Sequence, residues 1–306
     1  MNSGKERGQW HQRTTNQAPS PVGYRGCPAT MTRLLHISDT HFGTEQPPVM
    51  QAFETYVKAH GTDLVVFSGD ITQRARRGQF ASAQAFINRI KGYGVPHVLT
   101  IPGNHDIPMF NLFARVFSPY GNYHRYIDGN LAPIFENDDA LIICLNTTHP
   151  TRRKAGKVTA RQVEEVAERL QKCDPQKLRI VVAHQPFGAI VASDQRNLQI
   201  GARAALERWA SSGLDLVMGG HIHLPYVLAL STQYGALSKE IWGVQAGTTL
   251  SSRLRGNAPN SFNRIHLDKR ARQVTIERWD YCFSRGTFER SVASHCDCAP
   301  TRPERE

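Results

Sequence analysis

Five short apolar runs, each ending in a cluster of Asp, Asn, His and Gly, constrain this chain more than any other feature. Residues 34–38 lead into Asp39-Thr40-His41, and residues 64–68 into Gly69-Asp70. Residues 97–101 lead into Pro102-Gly103-Asn104-His105-Asp106. Residues 180–183 end at His184, and residues 214–218 at Gly219-Gly220-His221-Ile222-His223. Runs of this length, rich in β-branched residues, read as buried strands. Between them lie stretches of helical period. Residues 79–91 carry Phe80, Ala83, Phe86, Ile87 and Ile90 on one face, which is a core stripe rather than a cofactor contact. Residues 49–60, 159–172 and 198–212 also read as helices. Strand, helix, strand, helix, strand with short connections implies parallel strands with crossover helices. Ligands of open α/β sheets bind at the carboxyl ends of such strands, and that is where the polar clusters fall.

The rest of the chain is more mixed. Residues 108–122 read as a short helix and a turn, and residues 123–127, 133–136 and 141–145 as antiparallel strands. Residues 226–230, 240–245, 262–267 and 273–279 form a β-rich end. The expected domain spans residues 31–283, with two sheets packed together and helices outside. Residues 1–30 are polar and aperiodic, and we expect a disordered N-terminal extension, with Met31 as the physiological start. Residues 284–306 are expected to be a flexible C-terminal tail.

Composition excludes some functions. With 306 residues, 40% of them hydrophobic, the chain can bury a sizeable core. No apolar run reaches the roughly 18–20 residues of a membrane span, and no secretory signal is visible. Six cysteines lack framework spacing, which suits free thiols in the cytoplasm. Cys296-Asp297-Cys298 beside His295 is a weak metal motif, without a second cluster at zinc spacing. The net charge of +11 favours anionic ligands. Residues 1–30 hold +3 of it, and no basic stripe interleaved with aromatics follows. No specific nucleic acid and no membrane are therefore expected as partners.

The clusters have metal-ligand chemistry. Asp39 and His41 are two apart, as are His221 and His223, so each pair can converge at a strand end. Asp70, Asn104 and His184 complete seven candidate ligands. One tetrahedral ion would leave several unused, whereas two ions sharing Asp70 would use them all. Each residue has an ordinary alternative: Asp39 or Asp70 as a helix cap, a lone His as a hydrogen-bonded structural group, and the glycines as turn residues. Coincidence of all seven at one set of strand ends favours a metal centre. A further stretch, Gly247-Thr248-Thr249-Leu250-Ser251-Ser252-Arg253, follows a strand and could return to the site. Arg253 there reads equally as a phosphate contact or a solvated turn residue, and stays outside the catalytic set.

Asp39-Thr40-His41, Gly69-Asp70, Gly103-Asn104-His105-Asp106, His184 and Gly220-His221-Ile222-His223 together resemble the motif set of the calcineurin-like metallophosphoesterase superfamily. Residues 34–43 resemble its branch of bacterial class III cyclic nucleotide phosphodiesterases. The resemblance implies an α/β fold, a four-layer αββα sandwich of two mixed sheets flanked by helices. It also implies two divalent metal ions per chain, manganese, iron or zinc. Asp39, His41 and His223 would hold the first, Asn104, His184 and His221 the second, and Asp70 would bridge them. The implied reaction is attack of a metal-bridging hydroxide on a phosphodiester, with a 3',5'-cyclic nucleotide as leading substrate. The catalytic pair would be His105, facing the leaving group, and Asp106, orienting His105. Phosphomonoesters, nucleotide pyrophosphates and phospholipid headgroups suit the same centre, and a non-catalytic scaffold is the remaining alternative. A small phosphoester is the expected partner, with a homodimer as an option.

Overall fold

The computed structural model describes residues 31–298 apart from residue 236. The expectations for residues 1–30 and 299–306 lie outside the described residues. The chain runs β1 (Thr32–Ile37), α1 (Pro47–His60), β2 (Leu64–Phe67), α2 (Arg77–Gly92) and β3 (His97–Thr100). Two short helices, α3 (Leu112–Phe117) and α4 (Gly121–Tyr126), precede β4 (Ile134–Glu136) and β5 (Ala140–Cys144). Next come α5 (Ala160–Lys172), β6 (Leu178–Val182), α6 (Ala202–Ser211), β7 (Leu216–Gly219), β8 (Tyr226–Ala229) and α7 (Ser231–Tyr234). The described chain closes with β9 (Trp242–Gln245), β10 (Ser261–Asp268), β11 (Gln273–Cys282) and β12 (Thr287–Asp297).

The strands form two mixed sheets, ordered β12-β11-β10-β1-β2-β3 and β4-β5-β6-β7-β9-β8. Within the first, β1, β2 and β3 are parallel. Within the second, β5, β6, β7 and β9 are parallel. Alternation along each strand separates the layers. Leu34 and Val66 meet Ile180, Val182 and Met218 between the sheets. Leu35, Val65 and Phe67 face outward to Phe53 of α1 and Phe80 and Phe86 of α2. On the far side Ile143, Val181 and Val217 pack on Val166 and Leu170 of α5 and on Trp209 of α6. These are the four expected layers, helix, sheet, sheet, helix.

Two expectations change. Residues 123–126 are helical, not a strand, and residue 127 caps the helix, because Tyr123 at 0% exposure anchors α4 against Phe80 and donates to Thr100 Oγ1 at 2.8 Å. Residues 287–297 are not a loose tail but β12, an antiparallel edge strand on β11. Cys296 and Cys298 are buried in the core between the sheets. Burial raises the Cys296 thiol to about 12, so these residues serve as packing groups. No helix among the described residues is long and apolar enough to cross a membrane.

Candidate metal centre

All seven candidate ligands selected from the sequence follow the ends of parallel strands, and the two sheets share the set. β1, β2 and β3 deliver Asp39, His41, Asp70 and Asn104, while β6 and β7 deliver His184, His221 and His223. Asp39, His41, Asp70, His221 and His223 have positive φ, between 43° and 70°. Left-handed backbone costs of order 1–3 kcal/mol per non-glycine residue and gathers at functional sites. Here it turns each side chain back across its strand end. The loops are tied together: Asp39 N donates to Gly69 O at 3.0 Å and His41 N to Asp70 O at 3.1 Å. His221 N donates to Asp39 Oδ2 at 2.9 Å and so joins the sheets.

Glycines make room for this convergence. A Cβ at Gly103 would strike the Asp70 backbone and carboxylate, and one at Gly220 would strike Ser38 and Asp39. A Cβ at Gly69 would lie 2.5 Å from His184 Nδ1.

Two ligand groups result. Asp39, His41 and His223 converge, and beside them Asp70, His184 and His221, with ligand atoms within 4.8 Å of one another in each group. Asp70 faces both: Oδ2 is 3.8 Å from His41 Nε2, and Oδ1 is 3.3 Å from His184 Nε2. His223 Nε2 lies 3.1 Å from His41 Nε2 and 3.2 Å from Asp39 Oδ1. Ligand atoms about 2.0–2.1 Å from a shared ion stand at such separations. Asp39 Oδ1, Asn104 Oδ1, His184 Nε2 and His221 Nδ1 are buried without a hydrogen-bond partner. Orphaned buried polar atoms are rare and costly; four aimed into one space fit cations in it. Asn104 borders the same cavity as Asp70 and His221. The residues present therefore fit two divalent ions.

Backbone carbonyls set the rings. Ser68 O lies 2.8 Å from His184 Nδ1, and Arg253 O lies 2.6 Å from His223 Nδ1. Each bond places the hydrogen on Nδ1 and leaves Nε2 facing inward as a ligand. Burial lowers His41 to about 3. Burial, then the charge of His184, lowers His221 to about 4. Both rings are thus neutral and able to ligate. Burial alone would raise Asp39 and Asp70, but the charges of His223 and His184 outweigh it and hold both well below the usual carboxylate range.

The expected catalytic pair divides. His105 is half-buried at the mouth, with its Nδ1 2.9 Å from Gln73 O. Asp106 does not orient it. Its carboxylate accepts from Ile71 N (3.0 Å), Thr72 N (2.7 Å), Thr72 Oγ1 (2.8 Å) and Gly103 N (2.9 Å). Four donors outbid a single imidazole, so Asp106 fastens the loop after β2 to the one after β3. Burial, then the charge of Asp70, raises it to about 6.

Of the cationic wall, sequence reading singled out only Arg253 and kept it outside the catalytic set. A cavity of about 700 Å³ opens over the ligands and is lined by His105, Lys154, Arg196, Arg253 and Arg255, the last paired with Asp194 of the same wall at 2.8 Å. Arg253 Nη1 donates to Gln73 Oε1 at 3.1 Å and lies 3.3 Å from His105 Nε2. Its loop follows β9, which runs parallel to β7, and that strand-end position was the available signal. Lys154 and Arg255 come from loops, and Arg196 from the short 3-10 helix Ala192–Asn197, without any such signal.

Comparison with known proteins agrees with this geometry. A stretch of 91 residues is 31% identical to the DNA double-strand break repair protein Mre11 of Saccharolobus solfataricus, covering 26% of this chain and 23% of that protein. A purple acid phosphatase from yellow lupin (Lupinus luteus) seeds superposes with a TM-score of 0.60 at 17% identity, over 86% of this chain and 53% of the lupin chain. A dimetal phosphatase from Danio rerio superposes with a TM-score of 0.63 at 13% identity, over 88% of this chain and 99% of the fish protein. At these identities the two structures show a shared fold. This chain spans about half the length of the lupin enzyme and a quarter of the Mre11 protein. The sequence profile of the calcineurin-like phosphoesterase family matches residues 32–225. The chain belongs to that family.

Proposed function

We propose that this chain hydrolyses a small phosphodiester, with a 3',5'-cyclic nucleotide as the leading substrate. The observation that supports it most is the pairing of four orphaned ligand atoms with the cationic cavity above them. Its volume, about 700 Å³, is in the range of small-ligand sites. When bound, two divalent ions supply Lewis acidity toward phosphoryl oxygens and an activated water. In this reading Asp39, His41 and His223 would hold one ion, Asn104, His184 and His221 the other, and Asp70 would serve both.

The remaining steps belong to side chains at the mouth. Arg253 presents its guanidinium beside His105, and such a fork suits phosphate oxygens. Lys154 and Arg196 extend the positive wall and draw an anion inward. With Nδ1–H directed to Gln73 O, His105 gains and loses its second proton at Nε2. That proton goes to the departing ester oxygen, general acid work typically worth about 10²–10⁴-fold. Five described cysteines are unpaired, which supports a reducing, cytoplasmic setting.

The test is hydrolysis of bis(p-nitrophenyl) phosphate, p-nitrophenyl phosphate and cyclic AMP after metal removal and add-back of Mn²⁺, Fe²⁺ or Zn²⁺. Metal-dependent turnover of the diester and cyclic AMP, with little of the monoester, is expected. Monoester turnover above diester turnover would refute the diester assignment.

A further inference from the structure

Helix α3 buries none of its residues. Phe110, Leu112, Phe113, Val116 and Phe117 are each 69–74% exposed, and Met109 adjoins them. Apolar patches of this kind on a soluble chain mark an interaction surface. Polar contacts on the other side hold the helix in place. Arg115 donates through Nε to Pro150 O at 2.6 Å and through Nη1 to Pro108 O at 2.9 Å. Asn111 Oδ1 accepts from Ala114 N at 2.9 Å. The Phe113 and Phe117 rings pack on each other, centroids 4.6 Å apart, and present a common apolar edge to solvent.

The surrounding charge is of one sign. Residues 73–78, 107–120 and 147–157 together carry eight Arg and Lys residues and no Asp or Glu. These segments touch: the Arg74 guanidinium sits 5.5 Å from the Phe110 ring centroid, and Tyr120 reaches Thr148. A second copy of the chain docking this face on itself would set cations against cations, since a two-fold interface repeats the same patch. An anionic surface with an apolar interior meets both features. Phe and Leu side chains enter the acyl boundary while Arg and Lys meet headgroup phosphates.

We propose that the α3 face is a docking surface for an anionic lipid bilayer. The sequence showed no membrane-surface helix because six residues are too few to display a helical period; exposure reveals what periodicity could not. His105 lines the metal-centre cavity and also a recess of about 150 Å³ bordered by Met109 and Phe110. Docking would therefore set the mouth of the site beside the headgroup layer.

The test is co-sedimentation of the full chain with vesicles of phosphatidylcholine alone or mixed with phosphatidylglycerol. The chain should pellet with the mixed vesicles and stay in solution with phosphatidylcholine, and added salt should weaken the association. Phe113→Asp with Phe117→Asp should weaken binding at least ~10-fold, with an unchanged thermal midpoint as proof of folding. Equal pelleting of that variant would assign the binding to charge elsewhere on the chain and overturn the proposal. So would absence of binding to either vesicle. A dimer in sedimentation equilibrium that the variant dissolves, without vesicle binding, would give the face to a second copy instead.

Discussion

His105 Nδ1 lies 2.9 Å from the carbonyl oxygen of Gln73, and the neighbouring Asp106 carboxylate turns away to the amides of Ile71, Thr72 and Gly103. Asp106 thus serves loop architecture, apart from the proton transfer proposed for His105. His105→Ala should keep both ions by elemental analysis and lose about 10²–10⁴-fold in kcat. Asp106→Ala should leave buried amides unpartnered, at about 1–3 kcal/mol for each group left unmade. Its signature is a lower Tm and lower metal content, whereas a variant that moved only the pH profile would return Asp106 to the orienting role.

Asp70 faces both ligand groups, so Asp70→Ala should empty both. Gly103→Ala should mimic it without touching a ligand, because the new methyl collides with the Asp70 backbone and carboxylate. Elemental analysis of purified Gly103→Ala protein checks this; full occupancy of both positions would show that the loop yields.

Arg253 acts twice, through its guanidinium at the cavity and through its carbonyl on His223. Substitution removes only the first. Arg253→Ala should therefore retain metal and lose about 10–100-fold in kcat/KM, the range for one charged hydrogen bond. Arg253→Lys should recover part of the loss. An unchanged kcat/KM in steady-state assays would place the guanidinium outside the substrate's reach.

Burial lowers His184, but the charge of Asp70 outweighs it and raises the ring from 6.5 to about 9 in the metal-free chain. A proton therefore occupies Nε2 at neutral pH. Ion uptake must release it, so affinity should rise with pH up to about 9 and level off above. The metal-free fold should show the opposite trend. A folded value above the unfolded one gives stabilisation that is complete below about 6.5 and lost as pH climbs through about 9. Calorimetric titration in buffers of different ionisation enthalpy counts the protons; none released at pH 7 would contradict the assignment.

Away from the site, the fully buried Asp215 pairs with Lys239 and, at 2.7 Å, with Arg272. It also accepts from Arg179 N at 2.8 Å. Asp215→Ala should cost about 3–5 kcal/mol, because the Lys239 ammonium would be left buried without its partner. Denaturant unfolding measures it, and a loss below about 1 kcal/mol would mean that water replaces the carboxylate.

The candidate ligand set was legible in the sequence because strand-end chemistry is local. An apolar run and the polar cluster after it are contiguous, so Asp39, Asp70, Asn104, His184 and His221 announce themselves one strand at a time. Helices α1, α2 and α5 were equally legible from their apolar faces. Strand β12 was not. It lies at a sheet edge with most side chains exposed, and an edge strand lacks the alternation that burial imposes. Helix α4 was too short to distinguish its period from that of a strand.

The amino-acid sequence by itself determined which residues could hold ions and that parallel strands would carry them. Only the tertiary structure decided how they meet. Packing of Leu34, Val66, Ile180 and Met218 between the sheets brings loops more than a hundred residues apart to one edge. The same packing places Asp70 between His41 and His184, frees His105 from Asp106, draws Arg253 over the mouth and leaves α3 uncovered. Those relations depend on contacts between distant segments, and no local pattern of residues encodes a distance across two sheets.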